Sequence, residues 1–215
     1  MIKEYISKLG KQNEVIATVY LNDINKGKLH KDLICVSLNV LYPNIILQLY
    51  DNFVINIGKA EAEKIRWFLK NKSTLKSVST NEYGEWKIFI NSFFGGKELN
   101  KQEQIFVTEY INLFYEDLIK EFQDDIIYID TDMLFIKPKP IILECIKKLD
   151  IPFDYIESPY FWIESKKRLI YTLNNGEIES KGFSYKRESL LERKKVIEDI
   201  IKSEMRNDKL NEIGI

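Results

Sequence analysis

The sequence predicts an α+β fold, and three observations predict it. Segments with helical apolar spacing alternate with short apolar strands that turn back on themselves. Residues 126–136 (IIYIDTDMLFI) read as two short strands around an acidic tip. Asn174-Asn175-Gly176 stands between two strand-like segments, a strong hairpin signal.

The elements follow in order. Residues 13–20 read as a short strand, and Asn22-Asp23 with Asn25-Lys26-Gly27 supplies turn chemistry. The apolar run 33–41 suits a buried central strand, broken at Tyr42-Pro43-Asn44. Residues 45–50 begin a helix. Residues 60–71 form another, with Ile65, Phe68 and Leu69 on one face. The polar stretch 73–80 reads as a loop or helix tip. Residues 85–94 are apolar at helical spacing and stop at Gly95-Gly96. Residues 102–122 make a long helix whose inner face carries Phe106, Tyr110, Leu113, Phe114, Leu118 and Phe122. Pro138 and Pro140 close the acidic hairpin, and a helix over 141–149 follows. Residues 160–173 and 177–184 pair across the Asn-Asn-Gly turn. A final amphipathic helix covers 189–206.

Composition narrows the function classes. The chain has 215 residues, enough for one large domain or two small ones, and 45% apolar with 30% charged residues is globular rather than disordered. No apolar run is long enough to span a membrane, and Met1-Ile2-Lys3-Glu4 lacks the apolar core of a signal peptide. Cys35 and Cys145 are far apart in apolar stretches, which argues against a disulfide framework or zinc cluster. The expected location is cytoplasmic, with no membrane partner. His30 is the single histidine, so a two-histidine metal site is excluded. A net charge of −1 means that any nucleic-acid surface must be local.

The acidic tip draws the most chemistry. Asp130 and Asp132 are two apart in a strand-like segment, which directs both carboxylates to one side. Two carboxylates that close repel unless a cation lies between them, and Mg²⁺ or Mn²⁺ takes its ligands from carboxylates, phosphates and water. The plainer reading is a solvated Asp-Thr-Asp turn. The apolar strands on both sides weaken that plainer reading.

Four segments carry a family resemblance. Tyr128-Ile129-Asp130-Thr131-Asp132 resembles the Y-x-D-T-D-S segment of family B DNA polymerases, with Met133 in place of the serine. Residues 87–95 (KIFINSFFG) resemble K-x-x-x-N-S-x-Y-G, with Phe94 for the tyrosine. Residues 37–44 (SLNVLYPN) resemble D-x-x-S-L-Y-P-S. Lys166-Lys167-Arg168-Leu169, followed by Lys181-Gly182, is similar to the thumb-side K-K-R-Y and K-G elements. The order along the chain is the family order.

The resemblance implies a polymerase palm-like antiparallel sheet backed by helices, with a short helical fingers insertion and a small thumb remnant. Residues 1–50 and 85–160 would be palm, 51–84 reduced fingers, and 161–215 the thumb-side hairpin and C-terminal helix. It implies DNA replication by nucleotidyl transfer from dNTPs on a primer-template DNA, and a viral or mobile-element source. Asp130 and Asp132 would hold Mg²⁺ or Mn²⁺. Lys87 and Asn91, one helical turn apart, would meet the nucleotide, Lys87 as a point charge at the triphosphate. Tyr42 would pack under the sugar, with Ser37 nearby. Lys166, Lys167, Arg168 and Lys181 would meet the DNA backbone. Residues 166–195 hold nine basic against four acidic residues, a local basic surface. Arg66, Lys70, Lys72 and Lys76 are the basic candidates in the shortened fingers.

One departure bears directly on catalysis. Ser37 stands where the family has its first metal-binding aspartate. That carboxylate bridges both ions of a two-metal site, and a neutral hydroxyl replaces its charge poorly. Asp32, five residues away, faces the other side of an extended strand. The expectation is impaired or lost catalysis. A non-catalytic DNA-binding or scaffolding palm, or one subunit of a split polymerase completed by another chain, stays open beside it.

Overall fold

The computed structural model describes residues 2–10, 19–21, 25–95, 98–165, 168–173, 175–183 and 188–212. The chain divides into two compact units, one over residues 1–18, 38–121 and 141–152, the other over 19–37, 122–140 and 153–215.

The first unit is helical. It contains α1 (Ile2–Lys8), α2 (Leu41–Asp51), α3 (Lys59–Val78), α4 (Thr80–Gly95), α5 (Lys101–Phe122) and α6 (Pro140–Lys147). α2 starts at Leu41 rather than 45. A proline in the first turn owes no intrahelical N–H, so Pro43 sits inside the helix without breaking it. The Asn44 side-chain amide donates to the carbonyls of Asn39 (3.0 Å) and Val40 (2.9 Å), which anchors the entry. Val40 at the N-cap has φ 53°, an unusual conformation for a β-branched residue.

The stretch 73–80 is not a loop: α3 continues to Val78, and only Ser79 interrupts it. The Ser79 backbone N–H donates to the Leu75 carbonyl (3.0 Å), and its hydroxyl accepts the Glu82 amide (3.2 Å). One residue thus ends α3 and caps α4. α5 opens on a capping box. Asn100 Oδ1 accepts the Glu103 amide (3.0 Å), and Glu103 returns a carboxylate oxygen to the Asn100 amide (2.9 Å). The other Glu103 oxygen accepts the Asn56 amide (2.7 Å), tying the α2–α3 connection to the same carboxylate. Residues 109–115 of α5 are all buried, so the helix is enclosed on every side there. Gln48 of α2 satisfies itself by donating to the Leu149 carbonyl (3.0 Å) and accepting from the Tyr110 hydroxyl (3.1 Å).

The second unit is a seven-stranded sheet in the order β1-β3-β4-β2-β5-β6-β7, with α7 (Glu188–Glu212). The strands are β1 (Val19–Leu21), β2 (Leu29–Leu38), β3 (Ile126–Asp130), β4 (Met133–Ile136), β5 (Phe153–Ser165), β6 (Arg168–Thr172) and β7 (Ile178–Lys181). The pairs β1/β3, β2/β4, β3/β4, β5/β6 and β6/β7 are antiparallel. Of the expected strand 13–20, residues 13–18 lie outside the described residues. The expected single strand 160–173 is two strands, paired with Ser165 opposite Arg168.

The two faces of this sheet have separate cores. One gathers Leu33, Cys35, Tyr128, Met133, Phe135, Phe161, Leu169 and Tyr171. The other gathers Tyr160, Trp162, Ile170 and Phe183 with Ile197 and Ile201 of α7. β2 serves both. Leu29 packs with the α7 face, whereas Leu33 and Cys35 lie on the opposite one. Strict alternation would put 29, 33 and 35 on one side, and Asp32 at φ 55° breaks it.

Asp125 fixes the base of the β3–β4 hairpin. Its carboxylate takes the Lys139 ammonium at 2.6 Å and Lys137 at 3.6 Å, and its carbonyl accepts the Lys137 amide. The hydrogen bond from Lys139, aided by both positive charges, holds its carboxyl below the usual range against the opposing effect of burial. A lowered folded-state pKa stabilises above the unfolded value and stops doing so as pH falls through the folded one. Between about pH 5 and about pH 3 the urea midpoint of the native chain should therefore fall more steeply than that of Asp125→Asn. Equal slopes would show that the pair contributes nothing.

Candidate functional site

In the sheet unit, the register places the candidate residues in a row. Ser37 lies opposite Met133 on β2/β4, and Met133 lies opposite Asp130 on β4/β3. Directly opposed residues of antiparallel strands project to the same face. Ser37, Met133 and Asp130 thus share one face, with the methionine in the middle. Ser37 and Asp130 are half-buried, and Met133 is buried. The fold therefore puts the hydroxyl level with the carboxylate, two strands away.

The loop joining β3 to β4 is Thr131-Asp132. Thr131 takes φ 58°, the positive value that short primed hairpin turns need at their first central position. Asp130 ends β3, whereas Asp132 is in the turn and exposed, so strand alternation relates only the first of them to the row. The Asp130 carboxylate accepts the Tyr128 hydroxyl (3.4 Å) and the Thr131 hydroxyl (3.2 Å). Two neutral donors thus orient it before any ligand arrives.

Lys181, at the end of β7, brings its ammonium against the Met133 sulfur. Its charge therefore lies at the middle of the row. The Cys35 thiol registers the same grouping. Burial pushes it up to about 12, Lys181 pulls it down, and Glu179 and Asp132 raise it. The Tyr171 hydroxyl donates to Glu179, and burial with that carboxylate raises its pKa. Beneath the row, Phe135 stacks on Phe161 at 3.9 Å, flanked by Tyr128 and Tyr171. Sequence reasoning missed Glu179 and Tyr171. Their only signal was strand alternation across the hairpin after Arg168.

In the helical unit, Tyr42 is half-buried in the first turn of α2. Lys87 is exposed on α4, and Asn91 follows one turn later. Lys72 donates to Asn39 Oδ1 at 3.3 Å, beside the α2 entry. Arg168 begins β6 opposite Ser165, while Lys166 and Lys167 lie outside the described residues.

The donor set decides what metal could be held. Among the described residues no three Asp, Glu, His or Cys side chains converge on one point. A half-buried Asp130, an exposed Asp132 and water suit one divalent ion. They do not suit a bridged pair of ions, because Ser37 adds no charge to the row and an ammonium stands in it. Among the described residues no helix is long and apolar enough to cross a membrane.

No family model and no curated protein matches the sequence. Solved structures do match the fold. The family B DNA polymerase of the hyperthermophilic archaeon Pyrobaculum calidifontis aligns at TM-score 0.56 and 17% identity, over 85% of this chain and 32% of that one. Phi29 DNA polymerase bound to single-stranded DNA aligns at TM-score 0.54 and 12% identity, over 82% of this chain and 54% of that one. The phi29 enzyme with primer-template DNA aligns at TM-score 0.50 and 13% identity, over 86% and 55%. The chain thus spans from a third to just over half of the proteins that it resembles. The α+β class and the palm-like antiparallel sheet with helices, expected from the sequence, are the architecture observed.

Proposed function

We propose that the chain is a DNA-binding module on the family B polymerase palm, with template-directed nucleotidyl transfer impaired or lost. The observation that carries this reading is the row Ser37–Met133–Asp130, in a fold like that of DNA polymerases. In nucleotidyl transfer a primer 3′-oxygen attacks the α-phosphorus of a dNTP and pyrophosphate leaves. Divalent ions, when bound, neutralise the charge on the attacking and leaving oxygens. In this reading Asp130 and Asp132 hold a single Mg²⁺ or Mn²⁺. Tyr42 contacts the sugar, and Lys87 and Asn91 the phosphates. Lys166, Lys167, Arg168 and Lys181 contact the DNA backbone. Residues 1–50 and 85–160 are the palm, 51–84 the reduced fingers and 161–215 the thumb remnant. Ser37 itself brings no charge to the row, and the ammonium of Lys181, which lies against Met133, has the wrong sign for holding a cation.

Two measurements test this. Duplex binding by gel shift should weaken steeply with added salt. Primer extension with Mg²⁺ or Mn²⁺ and four dNTPs should be weak or absent, and any extension should vanish in Asp130→Asn/Asp132→Asn. Efficient extension by the native chain, or extension that survives the double substitution, would sink the reading, and so would the absence of duplex binding at low salt.

A further inference from the structure

The helical unit carries an aromatic surface that the row of the sheet unit does not use. Trp67 of α3 is 45% exposed, a large value for tryptophan in a helix interior. It packs on Trp86 of α4, with ring centroids 4.8 Å apart and planes 34° apart. Trp86 meets Phe89 edge to face at 5.5 Å. Trp86 and Phe89, with Lys64 and Glu85, wall a cavity of about 300 Å³. The Lys64 ammonium lies 5.7 Å from the Phe89 ring centre. Lys64, Trp67 and Lys70 are spaced by threes on α3, so the indole lies between two lysines on one stripe of the helix. Lys64 pairs with Glu61 at 3.8 Å and Glu85 stands at the cavity, but the helix beyond them carries charge of one sign. From Lys64 to Val78 the helix has Lys64, Arg66, Lys70, Lys72 and Lys76 and no acidic residue. Arg66 is engaged by Asp51 and Glu63, whereas Lys70 and Lys76 are exposed.

We propose that the Trp67–Trp86 surface of α3 and α4 binds single-stranded DNA, with a base stacked on the Trp67 indole and flanking phosphates at Lys64 and Lys70. An exposed aromatic between basic side chains is the arrangement that holds single strands without reading sequence, because every base has a π face and every linkage a charge. A packed core would have buried Trp67, and a simple solvated face would have no indole pair. The cavity beside it has room for a planar ring, and Lys64 and Glu85 offer a donor and an acceptor at its rim. This inference rests on the DNA-binding part of the proposed function and adds a second contact region on the helical unit.

The test is an anisotropy titration of the full chain with a labelled oligo(dT) 12-mer and an abasic 12-mer of equal phosphate number. Trp67→Ala should bind oligo(dT) about ten-fold more weakly than the native chain. Trp67→Phe should stay within about two-fold, since a ring is kept. The abasic strand should bind weakly and alike to all three. Circular dichroism melts establish that the variants are folded, and Trp67→Leu, which keeps apolar bulk without a ring, replaces the alanine variant if that fails to fold. Equal binding of oligo(dT) and abasic strand by the native chain, or undiminished binding by the ring-less variant, overturns the stacking site and leaves DNA binding standing. Failure of the native chain to bind either strand while it still shifts duplex also overturns the site. Failure with duplex as well removes the reading beneath it.

Discussion

Ser37→Asp is expected to bind Mn²⁺ about ten times more tightly than the native chain, read by titration calorimetry. The new carboxylate would enter a row that already contains Asp130, on the same face of the sheet with β4 and Met133 between them. Asp130 is held by the Tyr128 and Thr131 hydroxyls, so it need not reorganise to accept a shared cation. A third carboxylate beside Asp130 and Asp132 adds one full charge to the donor set, and at a half-buried position that charge is only partly screened. Lys181 opposes the gain, because its ammonium lies against Met133 in the middle of the row. Ser37→Asp/Lys181→Met should therefore bind Mn²⁺ more tightly than the single variant. If the substitution restores the missing electrostatic stabilisation, primer extension should rise by roughly a hundred-fold over native. Unchanged Mn²⁺ affinity in both variants would mean that the row does not converge on a shared cation.

The row also shows what was legible in the residues and what was not. The apolar run with a serine near its end marked β2, and the Asp-Thr-Asp tip marked the β3–β4 hairpin. Nothing local in either segment states that Ser37 comes level with Asp130, because register is set by strand pairing across about ninety intervening residues. The turn at Thr131 was hidden for a different reason. Threonine disfavours positive φ, so residue preference argues for extended backbone where the hairpin imposes the opposite. Asp32 is similar: its left-handed backbone lets β2 contribute to two cores, while the sequence reads as plain alternation. β5 ends at Ser165 and β6 begins at Arg168, and the sequence there, Ser-Lys-Lys-Arg, lacks the Gly, Asn, Asp or Pro that normally announces a turn. In contrast, the Asn-Asn-Gly turn, the Gly95 stop and the long α5 were plain, since each rests on a local backbone or packing preference. Helix α1 escaped notice because seven residues are too few to display a period.

Phe135→Ala should be the most destabilising single change in the sheet unit, by about 3–5 kcal/mol in urea unfolding at neutral pH. Phe135 is fully buried at the centre of β4. Its ring stacks on Phe161 at 3.9 Å and meets Tyr171 at 5.4 Å and Tyr128 at 6.3 Å, so one side chain joins four strands. Removing it leaves a cavity among rigid rings that cannot collapse onto alanine, which places the cost at the upper part of the usual range. Phe135→Leu keeps most of the volume and should cost about 1–2 kcal/mol. The consequence reaches the row. Phe135 is two residues from Met133 on the same face, and Tyr128, which touches its ring, also donates to Asp130. In Phe135→Leu, which stays folded, the Tyr128 hydroxyl should lose its fixed approach to Asp130, and Mn²⁺ binding should weaken before stability is seriously reduced. A large stability loss in Phe135→Ala with native-like Mn²⁺ binding in Phe135→Leu would separate the core from the site. Parallel losses would show that the aromatic floor is what holds the acidic tip in place.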